Sequence, residues 1–336
     1  MKINIYTFQN AINLGAFLQA YALKKTFEQL GHTCFFPFKF SIIDQKYDIL
    51  AKRFDKFIFN FKRYMKFLKA QEVFDQSHAD HANIAVIGSD SIWDVTEKTS
   101  GYIPQMFGMG LDEQIIASYA GSFGTLTDID KVPKNGLAGF RNFKDFSVRD
   151  SNSKFLLEKC GFTARLVCDP TVLYDFSDFE KVPDIDHDFI MVYGGFDERL
   201  IREILDLKKK LDIPLLSIGT FNKWCDFSIP VSPSEFLGYI KTAKFLVTSM
   251  FHGSIFAIKY KKQFVSYFTE RRLTKAFTTF DQLGLTDRIV SDNSSDSLAD
   301  VLFKPVDYGK VLSRERIYRE QSMKFVNDLI SESRNS

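Results

Sequence analysis

One stretch of the chain decides its fold: Ala243-Lys-Phe-Leu-Val-Thr-Ser-Met-Phe-His-Gly-Ser-Ile-Phe-Ala-Ile258. The apolar run at 245–248 predicts a buried strand, and the residues after it predict a helix. His252 and Gly253 fall in the first turn of that helix, where unpaired N–H groups and a partial positive charge attract anions. A histidine there either meets a bound anion and moves a proton, or only caps its own turn. The stretch alone leaves both readings open.

Short apolar runs alternate with helical patterns along the rest of the chain, which predicts an α/β protein with parallel sheets. We expect two Rossmann-like domains, at 1–175 and 189–312, that face each other across a cleft. An Asp-rich segment with Pro183 predicts a linker at 176–188, and a last helix at 313–336 is expected to pack back across both domains. Strands are predicted at 3–6, 34–38, 84–88, 115–118, 146–149, 166–168, 189–193, 214–218, 245–248 and 264–268.

The composition limits the classes of protein to consider. A chain of 336 residues suits two domains, and 45% hydrophobic with 26% charged residues are globular values. The net charge of +2 gives no reason to expect nucleic acid as a partner. Four widely spaced cysteines without a C-x-x-C pair predict a reduced protein without a cysteine metal site. With no apolar run of membrane-spanning length, we expect a cytoplasmic protein, or one held peripherally at the inner face of the cell membrane.

Polar residues follow several predicted strands, at the sheet edge where parallel α/β proteins bind ligands. Asn13 and Gly15 open a long helix, and Asn13 is either its N-cap or a ligand contact. Asp90 and Trp93 suit a sugar, through hydrogen bonds and ring stacking, or they are a turn residue and a core residue. Arg149 either donates two hydrogen bonds to one phosphate or carboxylate, or pairs with a neighbouring acid.

Two more clusters complete the candidate site. Asp169 precedes Pro170, a combination that favours a turn. Arg271, Arg272 and Lys275 follow the strand after the His252 helix. They either close positive charge over an anion held at the histidine or form a solvated basic face. The sequence lacks the G-x-G-x-x-G, Walker, H-E-x-x-H and G-x-S-x-G motifs, and no ligand cluster predicts a metal.

The segment Lys52–Lys69 differs from the others because it combines apolar and basic residues at helical spacing. It contains a single acid, Asp55. Such a helix either lies on an anionic membrane surface or packs on the core of its own protein. The predicted apolar stripe comprises Phe54, Phe57, Ile58, Phe61, Tyr64, Met65 and Leu68, and the basic face comprises Lys52, Lys56, Lys62, Arg63, Lys66 and Lys69.

Taken together, these segments resemble the polysaccharide pyruvyl transferase family. The matches occur in family order over residues 2–290. The resemblance implies a fold like that of type B glycosyltransferases and transfer of pyruvate from phosphoenolpyruvate onto a sugar hydroxyl pair as a cyclic ketal. It also implies a role in bacterial cell-surface polysaccharide biosynthesis, with an acceptor that is lipid-linked in some members. The matching segments are 13–23, 88–93, 118–124, 147–150, 169–171, 251–253 and 280–288.

The resemblance also suggests roles for individual residues. His252 and Arg149 match positions that hold phosphoenolpyruvate, so we expect them to be catalytic. Met250 stands where some members have an arginine, so a basic residue such as Arg271 or Arg272 would supply the missing charge. The expected donor-binding residues are Arg149, Phe251, His252, Gly253, Arg271, Arg272 and Lys275, and the expected acceptor-binding residues are Asn13, Gly15, Asp90 and Trp93.

Phosphoenolpyruvate is then a co-substrate, and neither a cofactor nor a metal is expected. Two other functions fit the same residues. One is a glycosyltransferase of the same architecture that uses a nucleotide sugar, since a fold does not fix a function. The other is a non-catalytic protein that binds a glycan.

Overall fold

A parallel sheet of four strands organises the first half of the chain, in a computed structural model that describes residues 1–41, 45, 49–96 and 101–335. Two short strands, β5 and β6, pair with each other and are joined to the sheet by single bridges. The bounds are β1 Lys2–Tyr6, β2 Thr33–Phe35, β3 Ile84–Ile87, β4 Ile115–Ser118, β5 Phe146–Val148 and β6 Ala164–Leu166, and the four-stranded order is β2-β1-β3-β4.

A six-stranded parallel sheet organises the second half, in the order β12-β11-β10-β7-β8-β9. Its bounds are β7 Ile190–Tyr193, β8 Leu215–Ile218, β9 Phe227–Ile229, β10 Phe245–Thr248, β11 Gln263–Tyr267 and β12 Ile289–Val290. The strands predicted at 115–118 and 245–248 have the expected bounds, and seven others are present with ends shifted by one to three residues. The strand predicted at 166–168 lies at Ala164–Leu166 and shares only residue 166 with the prediction, while β9 and β12 were not predicted. Between the sheets, 176–188 contains neither a helix nor a strand; its role as a domain boundary stays a prediction.

Helices cover the sheets and join them through a shared core. Helix α1 is largely buried and packs against α5, α7 and α8, so apolar side chains of both sheets belong to one continuous cluster. The helices are α1 Leu14–Gln29, α2 Phe54–Ala70, α3 Lys134–Gly139, α4 Ser151–Lys159, α5 Pro170–Leu173, α6 Glu198–Leu211, α7 Pro233–Thr242, α8 Phe251–Lys259, α9 Glu270–Leu283, α10 Leu298–Phe303 and α11 Tyr308–Asn335.

The last helix does pack against both halves, as expected, although it begins at residue 308 rather than 313. The Tyr318 hydroxyl donates to the carbonyl of Val167 at 2.8 Å, and Ser322 Oγ accepts from the backbone N–H of Cys168 at 2.8 Å. The same helix packs on α9 of the second half. Helix α11 therefore ties the segment after β6 to the second sheet.

Helix α2 packs on the protein through part of its predicted apolar stripe and through residues outside that stripe. Tyr64 belongs to the predicted stripe and is buried, with the centre of its ring 5.8 Å from that of Phe40. Phe59 and Phe67, outside the predicted stripe, are also buried. Among the described residues, we find no helix with the length and apolar character that crossing a bilayer requires.

Candidate active site

A cavity of about 210 Å³ receives residues from both halves of the chain. Most of them stand at or just beyond the carboxyl ends of parallel strands, because the last residue of β7 and the first residues after β5, β10 and β11 all line it. This is the edge at which open α/β sheets bind ligands. The first half contributes Asn13, Asp90, Thr125 and Arg149, and the second contributes Tyr193, Ser249, Met250, Phe251, His252, Phe268, Arg272 and Lys275.

The start of helix α8 forms one wall of the cavity. Its N-cap, Met250, has extended backbone and makes no capping bond, because a thioether is a weak acceptor. The turn from β10 is held instead by Thr248, whose Oγ1 donates to the carbonyl of Tyr193 at 2.9 Å and accepts from the N–H of Met250 at 3.1 Å. The side chain of Met250 therefore leaves the N–H groups at the positive end of α8 uncapped.

The imidazole of His252 is held between two other elements. Its Nε2 lies 3.5 Å from Asp169 Oδ2, close enough for an ion pair, but has no hydrogen-bond partner in the part of the chain that the structure describes. On the other side the ring lies against Gly15, where a Cβ would overlap Nδ1. Gly15 was predicted to bind the acceptor. It does not line the cavity, and its visible role is to leave room for the imidazole.

Arg149 is buried, with 2% of its surface exposed, and it is held by two carboxylates. Its Nη1 donates to Asp169 Oδ2 at 2.8 Å, and its Nη2 donates to Asp90 Oδ1 at 2.9 Å. The guanidinium also lies 5.1 Å from the centre of the Phe251 ring, a cation–π contact. The pairing that the sequence allowed with a neighbouring acid is therefore present, although Asp150 is not the partner; Asp150 instead caps α4.

Charges around the cavity keep both carboxylates ionised. Burial alone would raise the pKa of Asp169, but His252 and Arg149 hold that pKa well below its ordinary range. Burial would likewise raise the pKa of Asp90, but its electrostatic interactions with Arg149, His252 and Lys275 lower it. The charge of Arg149 is thus balanced within the protein. Among the described residues, the other lysine and arginine side chains that line the cavity are Arg272 and Lys275, both from α9.

Trp93 does not belong to the site, and the prediction that it binds the acceptor is wrong. Its ring is fully buried and packs on Phe123 and Phe140, with centroid distances of 5.1 and 5.3 Å. Its Nε1 donates to the carbonyl of Met106 at 2.7 Å. An indole with its N–H satisfied inside the core is stable there and has no face left for a sugar.

Gly253 and Arg271, both predicted to bind the donor, lie outside the cavity wall. A Cβ at Gly253 would overlap Thr248 Oγ1, so this glycine lets α8 approach β10 closely. Arg271 extends across to the first half instead. Its Nε donates to Thr125 Oγ1 at 2.9 Å, and its Nη2 donates to Thr96 Oγ1 at 3.3 Å. The predicted donor residues Arg149, Phe251, His252, Arg272 and Lys275 and the predicted acceptor residues Asn13 and Asp90 do line the cavity.

Sequence reasoning missed one central residue and several lining ones. Asp169 was interpreted as a turn former. It does accept from Thr171 N–H at 3.1 Å, yet its second oxygen joins Arg149 to His252. Tyr193 and Phe268 also line the cavity unpredicted. Both residues could have been identified from the sequence, because each is the last residue of a predicted strand.

Comparison with known proteins identifies the family. The family model described as polysaccharide pyruvyl transferase matches residues 13–268, which span most of the chain and nearly all of the cavity-lining residues. The chain belongs to the polysaccharide pyruvyl transferase family. A transferase that acts on a sugar acceptor follows from this membership. No curated protein matches the chain in sequence.

Solved structures show which fold this pyruvyl transferase family member shares. UDP-N-acetylglucosamine 2-epimerase from Rickettsia bellii aligns with a TM-score of 0.51 at 10% identity, covering 99% of this chain and 97% of its own. The S. aureus MnaA–UDP co-structure aligns with a TM-score of 0.51 at 11% identity, covering 96% and 91%. Identities this low show the fold alone. The expected architecture, two Rossmann-like halves across a cleft as in type B glycosyltransferases, is confirmed.

Proposed function

We propose that this protein transfers pyruvate from phosphoenolpyruvate to a pair of sugar hydroxyls, forming a cyclic ketal in the biosynthesis of a bacterial cell-surface polysaccharide. One observation carries the proposal: the cavity combines an uncapped helix N-terminus, two cationic side chains and a buried histidine that lies 3.5 Å from a carboxylate. Phosphoenolpyruvate carries a phosphate and a carboxylate, so its donor site needs positive charge of this kind.

The donor is assigned to the wall formed by α8 and α9. Arg272 and Lys275 from α9, together with the start of α8, are assigned to neutralise the donor's charge. Arg149 already pairs with Asp90 and Asp169. Arg272 also takes over the role of the arginine that Met250 replaces. Its Nη1 donates to the carbonyl of Ser249 at 3.4 Å, next to Met250 in the chain. Arg149 would then act mainly by holding Asp90 and Asp169 in place.

The reaction requires one proton to be added and two to be removed. A proton is added to the methylene carbon of phosphoenolpyruvate, and the adjacent carbon becomes an oxocarbenium-like centre. The first sugar hydroxyl attacks that carbon and loses its proton, the bond to phosphate breaks, and the second hydroxyl closes the ring as its own proton leaves. One of these two protons balances the proton added to the methylene carbon, and the other leaves with the phosphate. His252 is assigned to this proton movement, with Asp169 stabilising its charged form.

The acceptor is assigned to the side of the cavity formed by the first half. Asp90 lies there with its carboxylate ionised, which suits hydrogen bonds from sugar hydroxyls. Asn13 lines the same side, although its Oδ1 is occupied in capping α1, where it accepts from the N–H groups of Gly15 and Ala16 at 2.9 and 3.2 Å. The Asn13 amide nitrogen is therefore the group assigned to the acceptor.

The test is phosphate release from phosphoenolpyruvate in the presence of a panel of galactose-, mannose- and hexosamine-terminated acceptors, both free and lipid-linked. The wild-type protein should release phosphate only with one class of acceptor, and the product should gain the mass of pyruvate less one water. H252Q and R272A should each lower the rate by about a hundredfold or more. K209A, which removes an exposed lysine on α6, is the control and should leave the rate unchanged.

Two results would contradict the proposal. A product that gains a hexose from a nucleotide sugar would identify a glycosyltransferase. If folded H252Q sustained polysaccharide production in cells as well as the wild type, the protein would be a non-catalytic glycan-binding component.

A further inference from the structure

Helix α2 carries large apolar side chains on the side that faces away from the protein. Phe54 is 76% exposed, and Phe61 and Met65 are each 47% exposed. The exposed apolar residues of α2 follow one another at intervals of three and four residues, so they form one line along the helix, about 20 Å long at 1.5 Å per residue. We call this line the α2 stripe; it consists of Phe54, Ile58, Phe61, Met65 and Leu68.

The α2 stripe is not needed to attach the helix to the protein, because the opposite side does that. The Phe59 ring packs 5.6 Å from that of Phe221. Lys66 Nζ is 2.6 Å from Glu235 Oε2, and Arg63 Nη1 donates to the carbonyl of Gly219 at 3.3 Å. These contacts all reach the second half of the chain. They fix the rotation of α2 and leave the stripe on the surface.

The charge beside the α2 stripe indicates what it contacts. Lys62 lies four residues after Ile58, and Lys69 lies four residues after Met65, so both exposed lysines border the stripe. The acid on the helix, Asp55, is paired with Arg53 and adds no net negative charge. Glu72 is exposed but lies beyond the end of the helix. A row of apolar side chains with lysines along its edge complements hydrocarbon that is bordered by anionic headgroups.

We propose that the α2 stripe binds the surface of an anionic lipid bilayer, with its apolar side chains in the acyl boundary and Lys62 and Lys69 at the headgroups. The attached side of α2 contacts the carbonyl of Gly219, which directly follows β8 of the second half. The membrane proposal itself does not depend on the identity of the donor.

The experiment measures co-flotation of the full chain with vesicles, without any catalytic readout. Wild-type protein should float with vesicles of phosphatidylglycerol and phosphatidylcholine at low salt, and much less with phosphatidylcholine alone. F61S/M65S should weaken binding to anionic vesicles at least tenfold at any salt concentration, because it removes buried apolar surface. K62E/K69E should weaken it about tenfold or more at low salt, and the difference should shrink as salt rises.

Matched controls separate the α2 stripe from general stickiness. F155S removes a 51% exposed phenylalanine on α4, and K209E/K210E reverses two exposed lysines on α6. Both should bind vesicles as the wild type does. The proposal would be overturned if the wild-type protein failed to float with either kind of vesicle, or if F61S/M65S floated as well as the wild type. It would also be overturned if the wild type bound no vesicles and formed a dimer that F61S/M65S converted to monomers, since the stripe would then join two copies of the chain.

Discussion

At the scale of single residues, the site depends on how Asp169 is shared. This buried carboxylate holds Arg149 and lies beside His252, so it joins an arginine of the first half to a histidine of the second. Burying two acids and one arginine is favourable only while each charge keeps its partner. Asp169 therefore affects both the stability of the fold and the position of the histidine.

We predict that D169N lowers the free energy of unfolding by about 3 kcal/mol, because a neutral amide leaves the buried Arg149 charge half-compensated. Chemical denaturation at pH 7 measures this. D90N is the comparison variant and should lower the free energy of unfolding by less, because Asp90 borders the cavity rather than lying beneath it. If D169N were within about 0.5 kcal/mol of the wild type, the carboxylate would not support the arginine.

The lowered pKa of Asp169 also predicts that the stability of the folded protein depends on pH. Since the pKa of Asp169 is lowered in the folded protein, the unfolded chain takes up its proton first as the pH falls. The stability that Asp169 contributes should be complete above about pH 5 and should decline below about pH 4. The free energies of unfolding of the wild type and D169N, measured across this pH range, should therefore converge as the pH falls. A constant difference would mean that folding does not lower the pKa of Asp169.

Gly15 gives a second prediction at this scale. In a helix, Gly→Ala normally stabilises by about 0.5–1 kcal/mol. G15A should instead disturb the site, because the new Cβ would overlap the His252 ring. We expect a shift in the imidazole signals of His252 by NMR, together with a loss of phosphate release. G195A is the control, since a Cβ there meets nothing within 4 Å; imidazole signals unchanged in G15A would contradict the expectation.

At the scale of elements, the sequence predicted strands well and side-chain partners poorly. Apolar runs such as Ile115–Ser118 and Phe245–Thr248 marked buried strands, because burial on both faces requires continuous apolar residues. Strand β12 is two residues long, and β9 is only partly buried, so neither contains the apolar run that marked the predicted strands. Trp93 was assigned to the site because sequence does not reveal which side of a turn faces the core.

The close approach of α7 to residues 181 and 182 gives a prediction at the element scale. A Cβ at Gly238 would overlap the carbonyl oxygen of Lys181, and this backbone cannot shift as a flexible side chain can. G238A should therefore destabilise by about 1–3 kcal/mol, although alanine has the higher helix propensity. Denaturation measures the change. G309A, where the nearest atom belongs to the exposed Asp307 side chain, should be nearly neutral; equal effects of both variants would show that helix propensity dominates.

At the scale of the whole molecule, the two facing halves could be anticipated, whereas the centre of the site could not. The alternation of strands and helices and the order of the family motifs predicted the architecture. The Arg149–Asp169–His252 cluster joins segments far apart in the chain, so it exists only after the halves pack around the shared core. Lining residues at strand ends follow from topology, but hydrogen bonds among them depend on packing that a sequence pattern does not encode.

The last prediction concerns ligand binding to the whole molecule. Because the cavity takes residues from both halves, a ligand bound there should stabilise the folded chain as a unit. Phosphoenolpyruvate at about a hundred times its Kd should add about 2.7 kcal/mol, which corresponds to a rise in Tm on the order of 4 °C. R272A/K275A should lose most of this shift, since it removes the cationic side chains of the donor wall. R202A/K209A, which changes two exposed cations on α6, should keep it. A shift with UDP and none with phosphoenolpyruvate would assign the cavity to a nucleotide sugar, because the same positive wall would then be holding a diphosphate.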